Sequence, residues 1–262
     1  MTWIEALILG LLQGLTEFLP VSSSGHLELG SALFGLEEEN LTFSIIVHGA
    51  TFLSVLVVFR RDIINLIISV LRFQWNDETK FVSLLILSAV PVGLVGVLFK
   101  ENIESLFGNN ILFVGMMLLV TSLLLLLTHF APKNHKDITL KSALIIGLAQ
   151  TLAILPGISR SGATISTALY LGIDREKATR FSFLMVLIPI FGATFLEILD
   201  LAKATEPSAI ATSSLVIGAV AAFGSGLFAC SWMLKIVRRG KLAWFSIYTA
   251  IVGITAILLM VL

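Results

Sequence analysis

The chain has 262 residues, of which 57% are apolar and only 13% charged, and 17 basic residues balance 17 acidic ones. That composition excludes a soluble globular domain and a disordered segment; a lipid bilayer is the expected surrounding, and no nucleic-acid partner is expected. Cys230, the single cysteine, excludes an intrachain disulfide and a cysteine-ligated metal cluster.

Residues 3–36 form two short apolar stretches broken by Pro20, Ser22, Ser23, Ser24 and Gly25. The first stretch lacks a basic start and carries Glu5, Gln13 and Glu17, so it does not read as a cleavable signal peptide. A broken apolar pair with a polar centre predicts a re-entrant helical hairpin, which is tolerated at membrane depth where protein or a water-filled cavity surrounds it. An acidic turn, Glu37, Glu38 and Glu39, follows. Spans of roughly 20 apolar residues are expected at 41–59, 79–99 and 111–130. Residues 140–173 repeat the broken pattern around Pro156, and three more spans are expected at 181–199, 209–234 and 242–262.

Basic residues concentrate in four of the intervening loops. They are Arg60, Arg61, Arg72 and Lys80; then Lys133, Lys136 and Lys141; then Arg175, Lys177 and Arg180; and finally Lys235, Arg238, Arg239 and Lys241. Placing all four on the cytoplasmic side requires each hairpin to return to the side it started from, with both termini outside. The expected fold is an all-α integral membrane protein with six transmembrane helices, two re-entrant hairpins and an inverted-topology internal repeat. It forms a single membrane domain with halves at 1–130 and 139–262.

The repeat is visible in the residues. Ala6 to Gln13 (ALILGLLQ) parallels Ala143 to Gln150 (ALIIGLAQ), and LPVSSSG at 19–25 parallels LPGISRSG at 155–162. An odd number of spans in each half inverts the second copy, an architecture best attested in transporters. The copies differ where chemistry would reside. Glu17, Ser23 and His26 stand opposite Ile154, Arg160 and Ala163. If the hairpin tips meet, one loop supplies a carboxylate, an imidazole and hydroxyls, and the other a guanidinium and hydroxyls.

Gln13 and Glu17 are four apart and share one helix face. Ser22, Ser24 and Gly25 in one loop, and Ser159, Ser161, Gly162 and Thr164 in the other, offer hydroxyls and helix-start amides suited to an anion. Arg160 adds a planar fork matched to phosphate oxygens. A charge in hydrocarbon costs at least about 2.5–3.5 kcal/mol, so Glu17 and Arg160 are expected either to act or to pair structurally. His48 is balanced between lining a cavity and simple packing, and Glu28 between the site and the outer interface. Glu5, Glu197 and Asp200 read as boundary residues, and His129 and His135 as bystanders.

QGLTEFLPVSSSGH at 13–26, PGISRSGATIS at 156–166 and RFSF at 180–183 together resemble the undecaprenyl-pyrophosphate phosphatase family associated with bacitracin resistance. The resemblance runs over essentially the whole chain. It implies removal of the terminal phosphate of undecaprenyl pyrophosphate, giving the monophosphate carrier lipid reused in cell-wall synthesis. It further implies a bacterial plasma-membrane location, a site opening to the outer face and a divalent cation, Mg²⁺ or Ca²⁺. The family's (E/Q)xxxE motif falls on Gln13 and Glu17, its serine loop on Ser22, Ser23 and Ser24 with His26, and its PGxSRSGAT loop on Arg160. Gln13 leaves Glu17 as the one carboxylate of the motif and the expected metal ligand. His48 stands where compared members carry Gln. In the expected chemistry Ser23 attacks phosphorus with His26 or Glu17 as base, and a water held by Glu17 is the competing nucleophile. Arg160 clamps phosphate, while Gln13, Ser22, Ser24, Gly25, Ser159, Ser161, Gly162 and Thr164 line the substrate. A transporter or flippase of a phosphorylated polyprenyl lipid is the alternative, and a homodimer is left open.

Overall fold

A computed structural model describes residues 1–36, 41–106, 110–132, 135–203 and 210–261. The acidic turn at 37–39 and Lys133 lie outside the described residues, as do the side chains of Glu197 and Asp200. Regular structure among the described residues is helical, apart from one isolated bridge between Lys136 and Ile173. The first half contains α1 (Trp3–Phe18), α2 (Ser23–Leu33), α3 (Leu41–Val58), α4 (Arg60–Leu71), α5 (Asp77–Leu98), α6 (Lys100–Glu104) and α7 (Ile111–Leu127). After a short 3-10 turn, Thr128–Phe130, come α8 (Leu140–Leu152), α9 (Arg160–Tyr170), α10 (Arg175–Met185), α11 (Leu187–Lys203), α12 (Thr212–Arg238) and α13 (Ala243–Val261).

The burial pattern is inverted relative to a water-soluble protein. Polar Gln13, Ser22, Ser23, His26, Ser54 and Gln150 are buried, whereas Ile86, Leu94, Leu123, Val220, Ile251 and Leu259 are exposed. In water such an apolar surface would drive aggregation; in lipid it is the solvent-matched face. Five helical stretches among the described residues are long and apolar enough to cross a membrane: 77–98, 111–130, 175–196, 212–237 and 243–260. A sixth arises if Thr42–Val58 and Arg60–Leu71, bent by 76°, count as one span.

That bend corrects the reading of 60–80 as a loop. Its first part is α4, whose Ile64, Ile67, Ile68 and Leu71 recur at i, i+3, i+4 and i+7 and are all exposed. A short helix turned across its neighbour with an unburied apolar stripe has the form of one lying in the membrane interface. The expected loop at 174–180 is also helical: Asp174 caps α10 through the amides of Glu176 and Lys177, and the span begins there. The four basic regions meet around α10. Asp62 of α4 accepts from Arg180 at 2.7 Å, the Asp174 amide donates to Lys136 O at 3.1 Å, and the Arg175 guanidinium lies against Gly240.

Helices that cannot gain from hydrophobic exclusion in lipid associate by close backbone approach at small residues. Gly10 of α1 packs on Gly218 of α12, and its counterpart Gly147 of α8 packs on Ser88 of α5; at either glycine a Cβ would overlap the opposing carbonyl oxygen. Gly115 and Gly253 bring α7 against α13 in the same way. Corresponding caps recur too. Thr2 begins α1 and Thr139 begins α8 with a capping box, and Ser22 and Ser159 cap α2 and α9. Thus α1 pairs with α12, α8 with α5, and α7 with α13.

Gly147→Ala should therefore push α8 off α5 and cost about 1–3 kcal/mol as overpacking does, read as a lowered thermal midpoint in detergent. Gly192→Ala, where an added Cβ meets nothing within 4 Å, should leave the midpoint unchanged.

Candidate active site

Pro20 and Pro156 cannot continue α1 and α8, so each chain turns and restarts as α2 or α9 with a serine at the cap. In both copies that serine accepts the amide three residues on: Gly25 N to Ser22 Oγ at 3.3 Å, Gly162 N to Ser159 Oγ at 3.1 Å. In both it also touches the next serine but one, Ser22 to Ser24 and Ser159 to Ser161, each at 3.3 Å. The two loops meet. A Cβ on Gly25 would lie 3.1 Å from Gly157 Cα, one on Gly162 would lie 3.5 Å from Pro20 Cβ, and Ser161 Oγ donates to Leu19 O at 3.2 Å. The amino-terminal ends of α2 and α9, whose leading amides have no partners within a helix, therefore lie beside one another.

Glu17 occupies the junction, with its side chain 4% exposed. Its Oε1 accepts from Arg160 Nη2 at 2.6 Å, and its Oε2 accepts from Ser23 Oγ at 2.5 Å and from Gln13 Nε2 at 3.1 Å. His48 Nε2 lies 4.0 Å from the same Oε2, while its Nδ1 donates to Ser44 O at 2.9 Å. One carboxylate thus gathers residues from α1, α2, α3 and α9, and His48 resolves as a member of the site.

The remaining expected residues divide. Ser24 and Ser161 are half-buried beside the junction, and Arg160 is partly open with a side-chain exposure of 27%. Ser22, Gly25, Ser159 and Gly162 are buried and form the caps. The Thr164 hydroxyl is turned into its own helix, donating to Arg160 O at 2.8 Å. Ser22 holds φ of 70°, a left-handed conformation rare for a residue with a side chain, so backbone strain is stored next to Ser23.

His26 does not touch Ser23. Its Nδ1 is 2.7 Å from Ser22 O, which makes that nitrogen the donor and leaves Nε2 to accept the Tyr248 hydroxyl at 2.9 Å. The two rings are stacked, 5.6 Å apart. Glu28, also on α2, is buried.

Two supporting residues escaped the sequence reading. Tyr248 belongs to the last span and would have required knowing that α13 reaches α2. Thr121 in α7 donates to Gly157 O at 2.9 Å and accepts the Ser159 amide at 3.0 Å, fixing both sides of the second loop. The adjacent hydroxyls of Thr121 and Ser122 in the middle of the apolar 111–130 run were the available signal. Gly157 itself needs φ of +96° and approaches Val114 O too closely for any side chain.

Among the described residues no cluster of three or more His, Cys, Asp or Glu could hold a metal. Gln13 nevertheless presents a fully buried Oε1 without a hydrogen-bond partner, next to the Glu17 carboxylate. Two hard oxygen donors suit a cation that takes its other ligands from water and substrate phosphates, as Mg²⁺ does. Gln13 and Glu17 therefore fit such an ion.

Thr121→Val should leave two buried backbone groups unpaired and cost about 1–3 kcal/mol. Because Arg160 adjoins Ser159, catalytic turnover should fall with it; chemical denaturation and turnover measured together check both.

Residues 6–255 match the family model described as bacitracin resistance protein BacA. An undecaprenyl-diphosphatase of Bacteroides fragilis is 51% identical over 260 residues, covering 98% of each chain. One of Christiangramia forsetii is 52% identical over 97% of each, and one of Carboxydothermus hydrogenoformans is 42% identical over 99% of this chain and 98% of its own. A match of this extent, carried through the loops that meet at Glu17, places the chain in the BacA family of bacitracin resistance proteins.

Proposed function

We propose that this protein hydrolyses undecaprenyl diphosphate to undecaprenyl phosphate and inorganic phosphate, at the junction of the two serine loops. The activity is the one named for relatives aligned over almost the whole chain. The observation that carries the assignment of residues is that Ser23 and Arg160 both bind Glu17, at 2.5 and 2.6 Å. An attacking hydroxyl, an acceptor for its proton and a phosphate-binding fork are thereby held at one point.

The substrate's terminal phosphate draws Arg160 from Glu17 to its own oxygens, since a phosphate offers the guanidinium the same two-point match with more charge. The adjoining amino-terminal amides of α2 and α9 assist. Glu17 is released from its cationic partner when the Ser23 proton needs an acceptor. Ser23 Oγ then attacks phosphorus, its proton passes to Glu17 Oε2, and the bond to the bridging oxygen breaks with undecaprenyl phosphate as leaving group. Glu17 gives that proton to the departing oxygen of undecaprenyl phosphate. Water then attacks the phosphoserine and passes a proton to Glu17, which returns it to Ser23 Oγ as the P–O bond breaks, so that inorganic phosphate leaves and both residues are restored. Gln13 Oε1 and Glu17 would hold a Mg²⁺ or Ca²⁺ ion, which would supply neutralisation of the pyrophosphate charge. His26 acts by position, holding the α2 turn to Tyr248, which favours Glu17 as the base. The prenyl chain remains in the lipid.

The same reading takes the two broken pairs as re-entrant hairpins of an inverted repeat with halves at 1–130 and 139–262. The matching caps and the close glycine packing of α1 and α8 support it. Meeting of the basic regions around α10 supports placing them on the cytoplasmic side, with both termini and the site facing outward.

Ser23→Ala should abolish phosphate release by purified protein; near-normal turnover would remove the covalent route. Arg160→Lys, which keeps the charge and loses the fork, should lower turnover by about 10²–10³-fold, the scale for loss of a transition-state donor. Chelation should suppress release, with recovery on adding Mg²⁺ or Ca²⁺. Lipid movement without phosphate release would instead favour a transporter.

A further inference from the structure

A cavity lies at the far end of α9. Arg160 begins that helix and Leu169 lines the cavity nine residues on, about 13 Å away at 1.5 Å per residue. The cavity has a volume of about 450 Å³, within the range of small-ligand sites. Its walls divide by chemistry. Ala131, Pro132, Leu169, Ile173 and Ala243 are apolar, while His129, His135, Arg175 and Arg239 are basic, with Asp174 the one acid among them.

Neither arginine is neutralised. The guanidinium of Arg175 lies along the backbone of Gly240, and neither it nor Arg239 has an ion pair among the described residues. Asp174, the acid at the cavity, is already engaged. Its Oδ1 accepts the amides of Glu176 and Lys177, and its Oδ2 faces His135 Nδ1 at 2.9 Å. Two cations held at the mouth of a partly apolar cavity call for an anion with an apolar continuation.

The surroundings provide the path for that continuation. Leu126, Leu127 and Phe130 at the end of α7, and Trp244 at the start of α13, adjoin the cavity and are exposed, Phe130 at 76% and Trp244 at 70%. Exposed aromatic rings at the ends of apolar spans sit at the headgroup level of a bilayer, and basic pockets between spans receive phosphate headgroups there.

We propose that this cavity binds the phosphate of an anionic phospholipid, with Arg175 and Arg239 on the headgroup and the acyl chains along α7 and α13. The site is separate from the catalytic junction. It holds together residues 128–132 with His135 and Lys136, residues 173–175 and residues 239–243.

Native mass spectrometry of the full-length protein tests this, with phosphatidylglycerol, phosphatidylcholine and inorganic phosphate as separate probes. Wild type should retain phosphatidylglycerol over phosphatidylcholine. Arg239→Gln should reduce retention about five-fold, and Arg175→Gln with Arg239→Gln by about that factor again, at roughly one such step per arginine near a charged surface. Unchanged phosphate release from substrate would show the variants to be folded; Arg239, being exposed, decides the matter alone if the double variant does not fold. Equal retention of phosphatidylglycerol by wild type and Arg239→Gln overturns the proposal. Inorganic phosphate bound by wild type but not by the variant, without lipid retention, overturns the lipid as the source of the phosphate.

Discussion

The interaction on which the site depends is the ion pair between Glu17 and Arg160. Neither charge is tolerable alone at membrane depth, where a single one costs at least about 2.5–3.5 kcal/mol. Glu17 is carried by α1 and Arg160 by α9, so neutralisation forces the first loop against the second. The serines, glycines and prolines of the two loops make that approach sterically feasible. The hydrogen bonds from Ser23 and Gln13 complete the coordination of a carboxylate that water barely reaches. In the proposed reaction a phosphate competes for the guanidinium, and the same pair then takes part in the chemistry.

Everything else holds those two loops in register. Small residues let α1 close on α12 and α8 on α5, so the helix that precedes each loop is clamped by a long helix distant in sequence. Thr121 ties the second loop to α7, and the His26–Tyr248 pair ties α2 to α13. Since α7 and α13 pack on each other through Gly115 and Gly253, the supports of both loops share one helix pair. Displacement of either loop is therefore resisted from the same place, and the lipid-facing surface can stay featureless and apolar.

Much of this was legible in the residues. Breaks at Pro20 and Pro156, the repeated serine caps and the isolated charges of Glu17 and Arg160 identified the two loops that meet, because burying charge in an apolar chain leaves few alternatives. Contacts between distant spans were not legible. The destination of His26 depends on Tyr248, more than two hundred residues away, and only packing reveals that its two ring nitrogens are occupied without Ser23. The helix α4 was hidden for another reason: its basic ends read as a loop, and its apolar stripe is too short to register as a span. Gln13 was legible as a neighbour of Glu17 on one helix face, but its unpartnered Oε1 required the folded geometry.

A double-mutant cycle on Glu17→Gln and Arg160→Gln, followed by thermal or chemical denaturation and by phosphate release, tests the central claim most directly. Removing one partner of a buried pair costs about 3–5 kcal/mol, whereas removing both leaves no uncompensated charge. The account predicts that Arg160→Gln alone is strongly destabilised, that the double variant recovers much of the loss, and that none of the three releases phosphate at an appreciable rate. Simple additivity of the two stability changes, or substantial turnover in the double variant, would contradict it.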